Sequence, residues 1–473
     1  MARLSVGDAA RAVGGRVTAG DPDAMIEGAA IDSRAVRGGE AFFAFGGAHT
    51  DGHRFVPDAL ARGAAAAIVQ EDMPAPTAGA LIRVGDTFQA LHDLARFVRT
   101  RTPERLAGIT GSAGKTTTKE LLGAILTSRF RTAWTPGNLN NLYGFPLSLL
   151  NVPDGTEWMV AEMGMSTPGE LSQLSLLGRP DVAVFTVVRP VHLEFFGTIQ
   201  AIAEAKSEIL AGLDAGGFIV ANADDPEVTR IARRHGARVV WYGLGSDADA
   251  VVEVRARDLA PEPDGGVGSR FVLEAGGQSA EIRLPLHGLY NVENCLAAAA
   301  AAWALGLSLE EIAAAVRGAK PASMRGVVHR APGGFLLIDD SYNSNPDAVD
   351  KALASAAALP GERRVAVLGD MLELGPEGPR FHREAGERAA RLGFSPVVAV
   401  GELSRELAAG ARGAGVEAVW LSDAAAAAEW AAGEIHGGDV VLVKGSRGVK
   451  LDQVVRRLLG DTAVAGAAGE GAH

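Results

Sequence analysis

Short apolar β runs alternate with helical patterns along most of this 473-residue chain. A first series, from residue 106 to about 318, contains the runs LAGIT, WMVAEM, DVAVFTVV, FIVAN and VVWYG. A second series follows residue 319 and contains FLLIDD, RRVAVLGD, PVVAVG, EAVWLS and DVVLVKG. Strands that alternate with helices form mostly parallel sheets with helices on both faces. The alternation therefore predicts an α/β protein with at least two such sheets.

The same patterns predict three domains and a tail. Residues 1–83 indicate a small α/β domain with a strand in AFFAFGG, and residues 84–318 a central domain with a β-hairpin insertion at SRFVLEAGGQSAEIRLPL. Residues 319–460 indicate a Rossmann-like domain that lacks the G-x-G-x-x-G fingerprint. Residues 461–473 have too little apolar bulk to fold, so we expect a disordered tail.

Bulk composition excludes several classes of protein. A hydrophobic content of 47% with 22% charged residues is typical of a soluble globular chain. The net charge of −12 argues against a broad nucleic-acid-binding face. Cys295 is the single cysteine, so an intrachain disulfide and a cysteine-based zinc site are both excluded. No apolar run is long enough for a membrane span and the start lacks a signal-peptide pattern, which predicts a cytoplasmic protein. We take a monomer as the default.

The segment GSAGKTT lies between an apolar strand and a helical pattern. Gly111 and Gly114 would let backbone N–H groups approach phosphate oxygens at the positive end of the following helix. Lys115 can neutralise phosphate charge, and Thr116 or Thr117 can ligate Mg²⁺. An isoleucine stands where the strict phosphate-loop pattern begins with glycine, so an ordinary glycine-rich turn remains the alternative. The lysine and threonines favour a nucleotide site.

Two candidate metal ligands follow other strands of the first series. Glu162 ends WMVAEM, and His192 comes shortly after DVAVFTVV. Ligands bind at the carboxyl ends of parallel strands, so both side chains could face the loop. Mg²⁺ prefers oxygen, which makes Glu162 the more natural ligand and His192 the less usual one. A solvated glutamate and a hydrogen-bonded loop histidine remain the alternatives.

Lys206 interrupts an apolar helical stripe in IQAIAEAKSEILAGL. Ile199, Ile202, Ile209 and Leu213 lie on one face at 3.6 residues per turn, and Lys206 falls in the middle of that face. Such a lysine often extends its amine to solvent. The alternative is a desolvated lysine with a lowered pKa, whose neutral amine could take up CO₂ as a carbamate and ligate a second Mg²⁺.

These motifs together resemble the Mur ligases, the ATP-dependent amide-forming enzymes of peptidoglycan synthesis. GSAGKTT, AEMG, HLEFFGTIQAIAEAKSEI, ANADDP and GLYNVENCLAA are similar to the family's central domain. AAIDSRAVRGGEAFFAFGGAHTDGHRF resembles its uridine-nucleotide-binding segment. MRG, IDDSYNSNPDA, AVLGDMLELG and VLVKGSRGVKLD are similar to members that join D-Ala-D-Ala to UDP-MurNAc-tripeptide. The resemblance covers nearly the whole chain and implies three domains: UDP-binding, ATP-binding of phosphate-loop type, and Rossmann-like.

The resemblance implies ATP, two Mg²⁺ ions and a carbamylated Lys206 as cofactors, and it assigns site residues. Residues implied for ATP are Gly111, Ser112, Ala113, Gly114, Lys115, Thr116, Thr117, Asn291, Asn294, Arg325 and Asp340. Implied metal ligands are Thr116, Glu162, His192 and the carbamate of Lys206. Implied catalytic residues are Lys115, Lys206 and His192. Residues implied for the other substrates are Ser33, Arg34, Asp51, His53, Asn343, Asn345, Lys444, Ser446 and Arg447.

Some positions depart from the family pattern, and other functions remain open. Val187 stands where many relatives have asparagine, Tyr290 replaces a common histidine, and Ser344 replaces an alanine. A ligase that adds the third residue of the peptide is one alternative, although the Asn-Pro-Arg motif of its diaminopimelate-adding form is not found here. A folylpolyglutamate-synthetase-like ligase, a plain ATPase or kinase, and an inactive nucleotide-binding module are the others. The third residue of the tripeptide, lysine or diaminopimelate, is left open.

Overall fold

The computed structural model describes residues 4–47, 50–191, 193–245, 252–262 and 267–460. The predicted tail, 461–473, and His192 lie outside these residues. The chain divides into two compact units. The first comprises residues 1–110, 129–183 and 205–218, and the second comprises residues 111–128, 184–204 and 219–473. In the described part of the chain, no helix is both long and apolar enough to cross a membrane.

The first unit begins with a five-stranded sheet in the order β2-β7-β6-β5-β4. The elements of this part are β1 (Leu4–Ser5), α1 (Val6–Ala12), β2 (Arg16–Ala19), β3 (Met25–Ile26), β4 (Gly28–Ala30), β5 (Glu40–Phe43), α2 (Val56–Ala61), β6 (Ala66–Val69), β7 (Ala80–Arg83) and α3 (Thr87–Arg99). The sheet is parallel except for the pairing of β2 with β7. This confirms the small α/β architecture predicted near the N-terminus.

Residues 105–218 continue the alternation. Their elements are β8 (Arg105–Thr110), α4 (Lys115–Leu126), β9 (Thr132–Trp134), α5 (Gly144–Leu150), β10 (Trp158–Glu162), α6 (Glu170–Gly178), β11 (Val182–Phe185), α7 (Leu193–Phe196), α8 (Ile199–Ser207) and β12 (Phe218–Asn222). Within the first unit, β10 pairs in parallel with β8 and β9. This register sets Glu162 beside Ile109, near the carboxyl end of β8.

A side chain from the central part of the first unit extends the N-terminal sheet. Asn151, at the end of α5, accepts the backbone N–H of Ala29 through Oδ1 and donates to the carbonyl of Ala29 through Nδ2, both at 2.9 Å. These two bonds satisfy the backbone groups of edge strand β4 as a neighbouring strand would. The amide therefore connects α5 to the sheet of residues 16–83.

Helix α8 is shorter than the apolar stripe predicted. The stripe continues to residue 213, but α8 ends at Ser207 and a 3₁₀ turn, Glu208–Gly212, follows. The carboxylate of Glu208 accepts the backbone N–H groups of Gly169 and Ser172 at 2.8–3.1 Å. This attachment to the start of α6 accompanies the change from α-helical to 3₁₀ geometry, which periodicity alone does not reveal.

The second unit contains the predicted hairpin insertion. The elements of residues 226–316 are α9 (Pro226–Arg234), β13 (Arg238–Gly243), β14 (Val254–Pro261), β15 (Ser269–Ala275), β16 (Gln278–Leu284), α10 (Leu289–Ala304) and α11 (Leu309–Val316). Strands β15 and β16 pair antiparallel, as the SRFVLEAGGQSAEIRLPL pattern predicts. The alanine-rich helix α10 packs against α4, the helix that follows the phosphate loop.

The last part of the second unit is a six-stranded sheet in the order β17-β18-β22-β19-β20-β21. Its elements are β17 (Val327–Arg330), β18 (Leu336–Asp340), α12 (Pro346–Ala357), β19 (Arg363–Gly369), α13 (Gly378–Arg391), β20 (Val397–Val400), α14 (Arg405–Gly413), β21 (Ala418–Leu421), α15 (Ala424–Glu434), β22 (Asp439–Lys444) and α16 (Asp452–Leu459). Only β17 is antiparallel to its neighbour. Alternate residues of β19 belong to two separate buried clusters, so both sheet faces are covered.

Candidate active site

The phosphate-type loop, residues 111–114, has a backbone that only glycine adopts without strain at two positions. Gly111 has φ +146° and Gly114 has φ +82°. A Cβ atom would lie 1.9 Å from Oγ1 of Thr186 at the first position and 2.1 Å from Oδ1 of Asn294 at the second. The glycines are therefore required by both conformation and space. Lys115, the first residue of α4, returns over the loop and donates to the carbonyl of Gly111 at 2.9 Å.

The segment after β11 holds this loop from the other side. The backbone N–H of Ser112 donates to the carbonyl of Val187 at 2.7 Å, and Oγ1 of Thr186 donates to the carbonyl of Ala113 at 2.6 Å. The N-cap of α4 is Gly114, which contributes no side-chain cap. A glycine N-cap leaves room for an anion at the positive end of the helix. The loop thus has the geometry of a phosphate cradle.

A cavity opens on this loop. The predicted site residues that line it are Ser112, Ala113, Gly114, Thr117, Asn294, Arg325, Asp340, Asn343, Asn345 and Lys444. The lining of the cavity therefore includes both the phosphate loop and residues that lie more than 200 positions later in the sequence. Lining residues that the sequence interpretation did not assign to the site are Thr186, Val187, Asn222, Tyr242, Tyr290, Glu293, Asp347, Ala348 and Lys351.

Lys444 and Asp340 form a buried ion pair on one wall of the cavity. The two residues lie side by side at the carboxyl ends of the parallel strands β22 and β18. Nζ of Lys444 donates to Oδ2 of Asp340 at 2.7 Å and to the carbonyl of Asn343 at 2.8 Å. The lysine side chain is only 3% exposed. These bonds fix the loop between β18 and α12, which carries Asn343 and Asn345.

Four further predicted residues are not on the cavity lining. Asn291 is buried and donates to the carbonyl of His287 at 2.8 Å. Oγ of Ser446 accepts the backbone N–H of Leu372 at 3.0 Å, which ties the SRG segment to the GDMLELG segment. Arg447 is largely exposed and donates toward the sulfur of Met324. Thr116 is buried in the first turn of α4.

Arg325, by contrast, is on the cavity lining. Its guanidinium lies 4.0 Å from the centroid of the ring of Tyr342.

Glu162 lies at the end of β10 and is 2% exposed. Nδ2 of Asn140 donates to its carboxylate at 2.7 Å, and its backbone N–H donates to Oγ1 of Thr135 at 3.3 Å. Sequence reasoning missed Asn140, although the polar stretch TPGNLNN before α5 was a signal for it. A buried carboxylate oriented by an amide fits a hard divalent cation such as Mg²⁺.

Lys206 is buried in the last turn of α8, with 3% of the residue exposed. Of the two alternatives that the apolar stripe left open, the solvent-extended lysine is therefore wrong. The carbamate itself stays a prediction.

The predicted uridine-site residues form a separate polar group in the first unit. Nδ1 of His53 lies 2.7 Å from a carboxylate oxygen of Asp51, and Nε2 accepts the backbone N–H of Gln70 at 3.0 Å. The backbone and side-chain donors of His53 hold the pKa of Asp51 below its ordinary value. Ser33 is buried, whereas Arg34 is largely exposed beside Asp32.

Comparison with known proteins connects these features to one family. The Mur ligase middle domain matches residues 109–302, the Mur ligase glutamate ligase domain residues 324–447, and the Mur ligase family catalytic domain residues 25–99. The chain belongs to the Mur ligase family. It is 34% identical to the UDP-N-acetylmuramoyl-tripeptide–D-alanyl-D-alanine ligase of Bacillus subtilis, over 92% of this chain and 93% of that one.

Solved members of the family share the fold. MurF from Acinetobacter baumannii superimposes with a TM-score of 0.85 at 31% identity, over 97% of this chain and 99% of that one. MurF ligase from Thermotoga maritima, in complex with ADP, gives 0.79 at 29% identity over 92% and 98%. The recognised family and the α/β fold class are therefore both confirmed.

Proposed function

We propose that the chain is an ATP-dependent ligase that joins D-Ala-D-Ala to UDP-MurNAc-tripeptide and forms UDP-MurNAc-pentapeptide for peptidoglycan synthesis. The curated relatives carry this activity in their name over nine-tenths of both chains. One structural observation carries the proposal. The cavity is lined by the phosphate cradle and, beside the six-stranded sheet, by Asn343, Asn345 and Lys444. A nucleotide and an incoming amine can meet in such a cavity.

The reaction needs an activated acyl group, because a carboxylate would have to expel oxide to accept an amine directly. Transfer of the γ-phosphoryl group of ATP to the tripeptide carboxylate gives an acyl phosphate and ADP. The amine of the dipeptide then adds to the acyl carbon, and the tetrahedral intermediate expels inorganic phosphate. Enclosure of the site protects the acyl phosphate from water.

Cationic groups of this chain oppose the repulsion between carboxylate and triphosphate. Gly111 and Gly114 allow backbone N–H groups to approach the phosphates, and Lys115 lies over the loop. In the presence of ATP we expect Nζ of Lys115 to exchange the Gly111 carbonyl for a phosphate oxygen. Charge placed where it develops in the transition state is usually the largest catalytic contribution.

As the family resemblance implies, we expect Glu162, Thr116 and His192 to be the residues that would hold Mg²⁺. Glu162 is buried at a strand end and oriented by Asn140, which is the environment of a ligand rather than of a solvated charge. When bound, Mg²⁺ supplies positive charge to the phosphate oxygens. The proposed set includes two ions, the second held by the modified Lys206.

Lys206 would carry the carbamate that binds the second ion. Addition of the neutral amine to CO₂ forms an N–C bond and releases one proton, and leaves an anionic oxygen pair on the side chain. The neutral amine is the reactive form in this step, and the residue that carries it is buried. A buried anion needs a cation beside it, which Mg²⁺ provides.

The remaining assignments concern the other substrates. Asn291, Asn294 and Arg325 would contact the nucleotide. Asn343, Asn345, Lys444, Ser446 and Arg447 would surround the dipeptide amine and the departing phosphate, while Ser33, Arg34, Asp51 and His53 would bind the uridine end. The three-domain division at residues 83 and 318, a cytoplasmic location and a monomeric state belong to the same proposal, and sedimentation of the purified chain tests the last.

Phosphate release with a panel of substrates tests the function. We expect rapid release with UDP-MurNAc-tripeptide, Mg-ATP and D-Ala-D-Ala together, and little when any one is omitted. Mass spectrometry should find the pentapeptide product. Comparison of tripeptides that end in lysine and in diaminopimelate would identify the natural third residue. Faster turnover of UDP-MurNAc-dipeptide with either free amino acid would move this chain to the preceding step and contradict the proposal.

A further inference from the structure

Arg189 lies in the segment that supports the phosphate loop, and its backbone is bonded to that loop. The backbone N–H of Arg189 donates to Oγ of Ser112 at 2.9 Å, and Oγ of Ser112 donates to the carbonyl of Arg189 at 3.0 Å. The neighbouring Val187 carbonyl accepts the N–H of Ser112. A displacement of the Arg189 backbone would therefore also displace Ser112, which belongs to the cradle.

The side chain of Arg189 extends from this segment to two carboxylates. Nη1 donates to Oδ2 of Asp225 at 2.5 Å, and Nε donates to Oδ1 of Asp347 at 3.0 Å. Asp225 is fully buried and also accepts backbone N–H groups of Val188 and of the first turn of α9, so its position is fixed. Burial disfavours the charged guanidinium, but the two carboxylates outweigh this and raise the pKa of Arg189.

Asp347 belongs to the helix that holds the proposed amine-side loop. Helix α12 starts at Pro346, and the side chain of Asn345 caps it by accepting the N–H of Ala348 at 2.9 Å. One turn further along, Nζ of Lys351 lies 2.8 Å from the carboxylate of Glu293 on α10. The start of α12, and with it the Asn343–Asn345 loop, is thus joined to the phosphate cradle through Arg189.

We propose that Arg189 is a positioning residue that aligns the amine-side loop with the phosphate cradle, so that the acyl phosphate is captured by the dipeptide amine rather than by water. The proposal rests on the function proposed above. Arg189 touches neither ATP nor the reacting carbon in this scheme. It acts through Ser112 on one side and Asp347 on the other, and neither contact is assigned by the family motifs in the sequence.

The ratio of phosphate released to amide formed tests this role in the full-length enzyme. In the uncoupled reaction the oxygen of water adds to the acyl carbon, the bond to the phosphate oxygen breaks, and the original carboxylate and inorganic phosphate are released. Wild type should give one phosphate per pentapeptide. In Arg189→Met the ratio should rise above one, and the dipeptide KM should rise by about tenfold because a largely buried ion pair loses one partner. Arg189→Lys should restore part of the coupling.

Two further variants separate positioning from general damage. Arg380→Met removes an exposed guanidinium that pairs with Glu377, just before α13, and with Glu384 on α13, so its ratio and KM should match wild type. Arg189→Met/Asp347→Asn should be little worse than Arg189→Met alone, because both changes break the same connection.

A ratio of one in Arg189→Met, with only kcat reduced, would overturn the proposal and leave Arg189 a structural residue. Independent, multiplying losses in the double variant would also overturn it. Failure of the wild-type enzyme to ligate the dipeptide is a different result, since it would contradict the proposed function and not the role of Arg189.

Discussion

Gly114→Ala tests the phosphate cradle at its most constrained position. At φ +82° an alanine experiences left-handed strain of about 1–2 kcal/mol. Its Cβ would also lie 2.1 Å from Oδ1 of Asn294, so the amide of Asn294 must turn away from the loop. Loss of the contacts that this amide makes adds about 1 kcal/mol. The variant loop can relieve both effects only by leaving the cradle conformation, so ATP binding must restore that conformation at a cost of about 2–3 kcal/mol. This cost predicts a fall in kcat/KM for ATP of roughly 30- to 150-fold.

The assay is phosphate release against ATP concentration at saturating levels of both other substrates. Gly393→Ala is the matched control, because Gly393 has φ +80° and no atom within 4 Å of its Cβ position. It carries the strain without the collision, so kcat/KM for ATP should stay at the wild-type value. If Gly114→Ala stays within about threefold of wild type, the loop does not hold the nucleotide as described.

Four other perturbations probe the remaining groups. Lys115→Ala should lower kcat more than tenfold while thermal stability is kept, because a cation beside the γ-phosphate is lost; calorimetry and phosphate release check both. Lys206→Ala should be nearly inactive and partly restored by high formate or acetate, whereas Lys115→Ala should not respond, and full activity without additive would contradict the carbamate. Asn140→Ala should raise the Mg²⁺ concentration needed for half-maximal rate by about 10- to 100-fold, since it removes the amide on Glu162. Burial lowers the pKa of His382. The stability that the neutral imidazole contributes is therefore complete above about pH 6.5 and is lost as the pH falls toward the lowered pKa of the folded state. Between about pH 7 and pH 5, Tm should fall less in His382→Gln than in wild type, which calorimetry checks.

Local patterns predicted the elements of the fold and the half of the site that lies on one stretch of chain. The glycines and lysine of residues 111–115 are neighbours in sequence, and the strand before them and helix after them fix their geometry. Lys206 could be placed on the apolar face of its helix because the period of a helix is set by backbone hydrogen bonds alone, although the pattern left its burial open. The end of α8 at Ser207 could not be predicted from the sequence pattern, because it accompanies contacts between Glu208 and the start of α6.

The other half of the site depends on which strands lie side by side. Asp340 and Lys444 meet because β18 and β22 are adjacent, although β19, β20 and β21 separate them along the chain. Hydrophobic alternation predicts which segments are buried strands, but it does not predict the order of those strands in the sheet. Only the family resemblance therefore suggested that these residues share a site. Asn140 and Arg189 were missed for the same reason: their partners are set by tertiary packing.

Val187 shows how a departure from a family pattern can leave the local architecture intact. Many relatives have asparagine at this position, and an asparagine side chain could make a polar contact that valine cannot. In the structure the main chain makes the supporting contact, because the Val187 carbonyl accepts the N–H of Ser112, and the side chain is 7% exposed on the cavity lining. An apolar side chain at this position lowers local polarity and strengthens nearby electrostatic interactions. The polar contacts of this segment come instead from Thr186 on the loop and from Arg189 on Asp225 and Asp347. Support of the cradle therefore depends on the backbone at residue 187 and on the side chains before and after it.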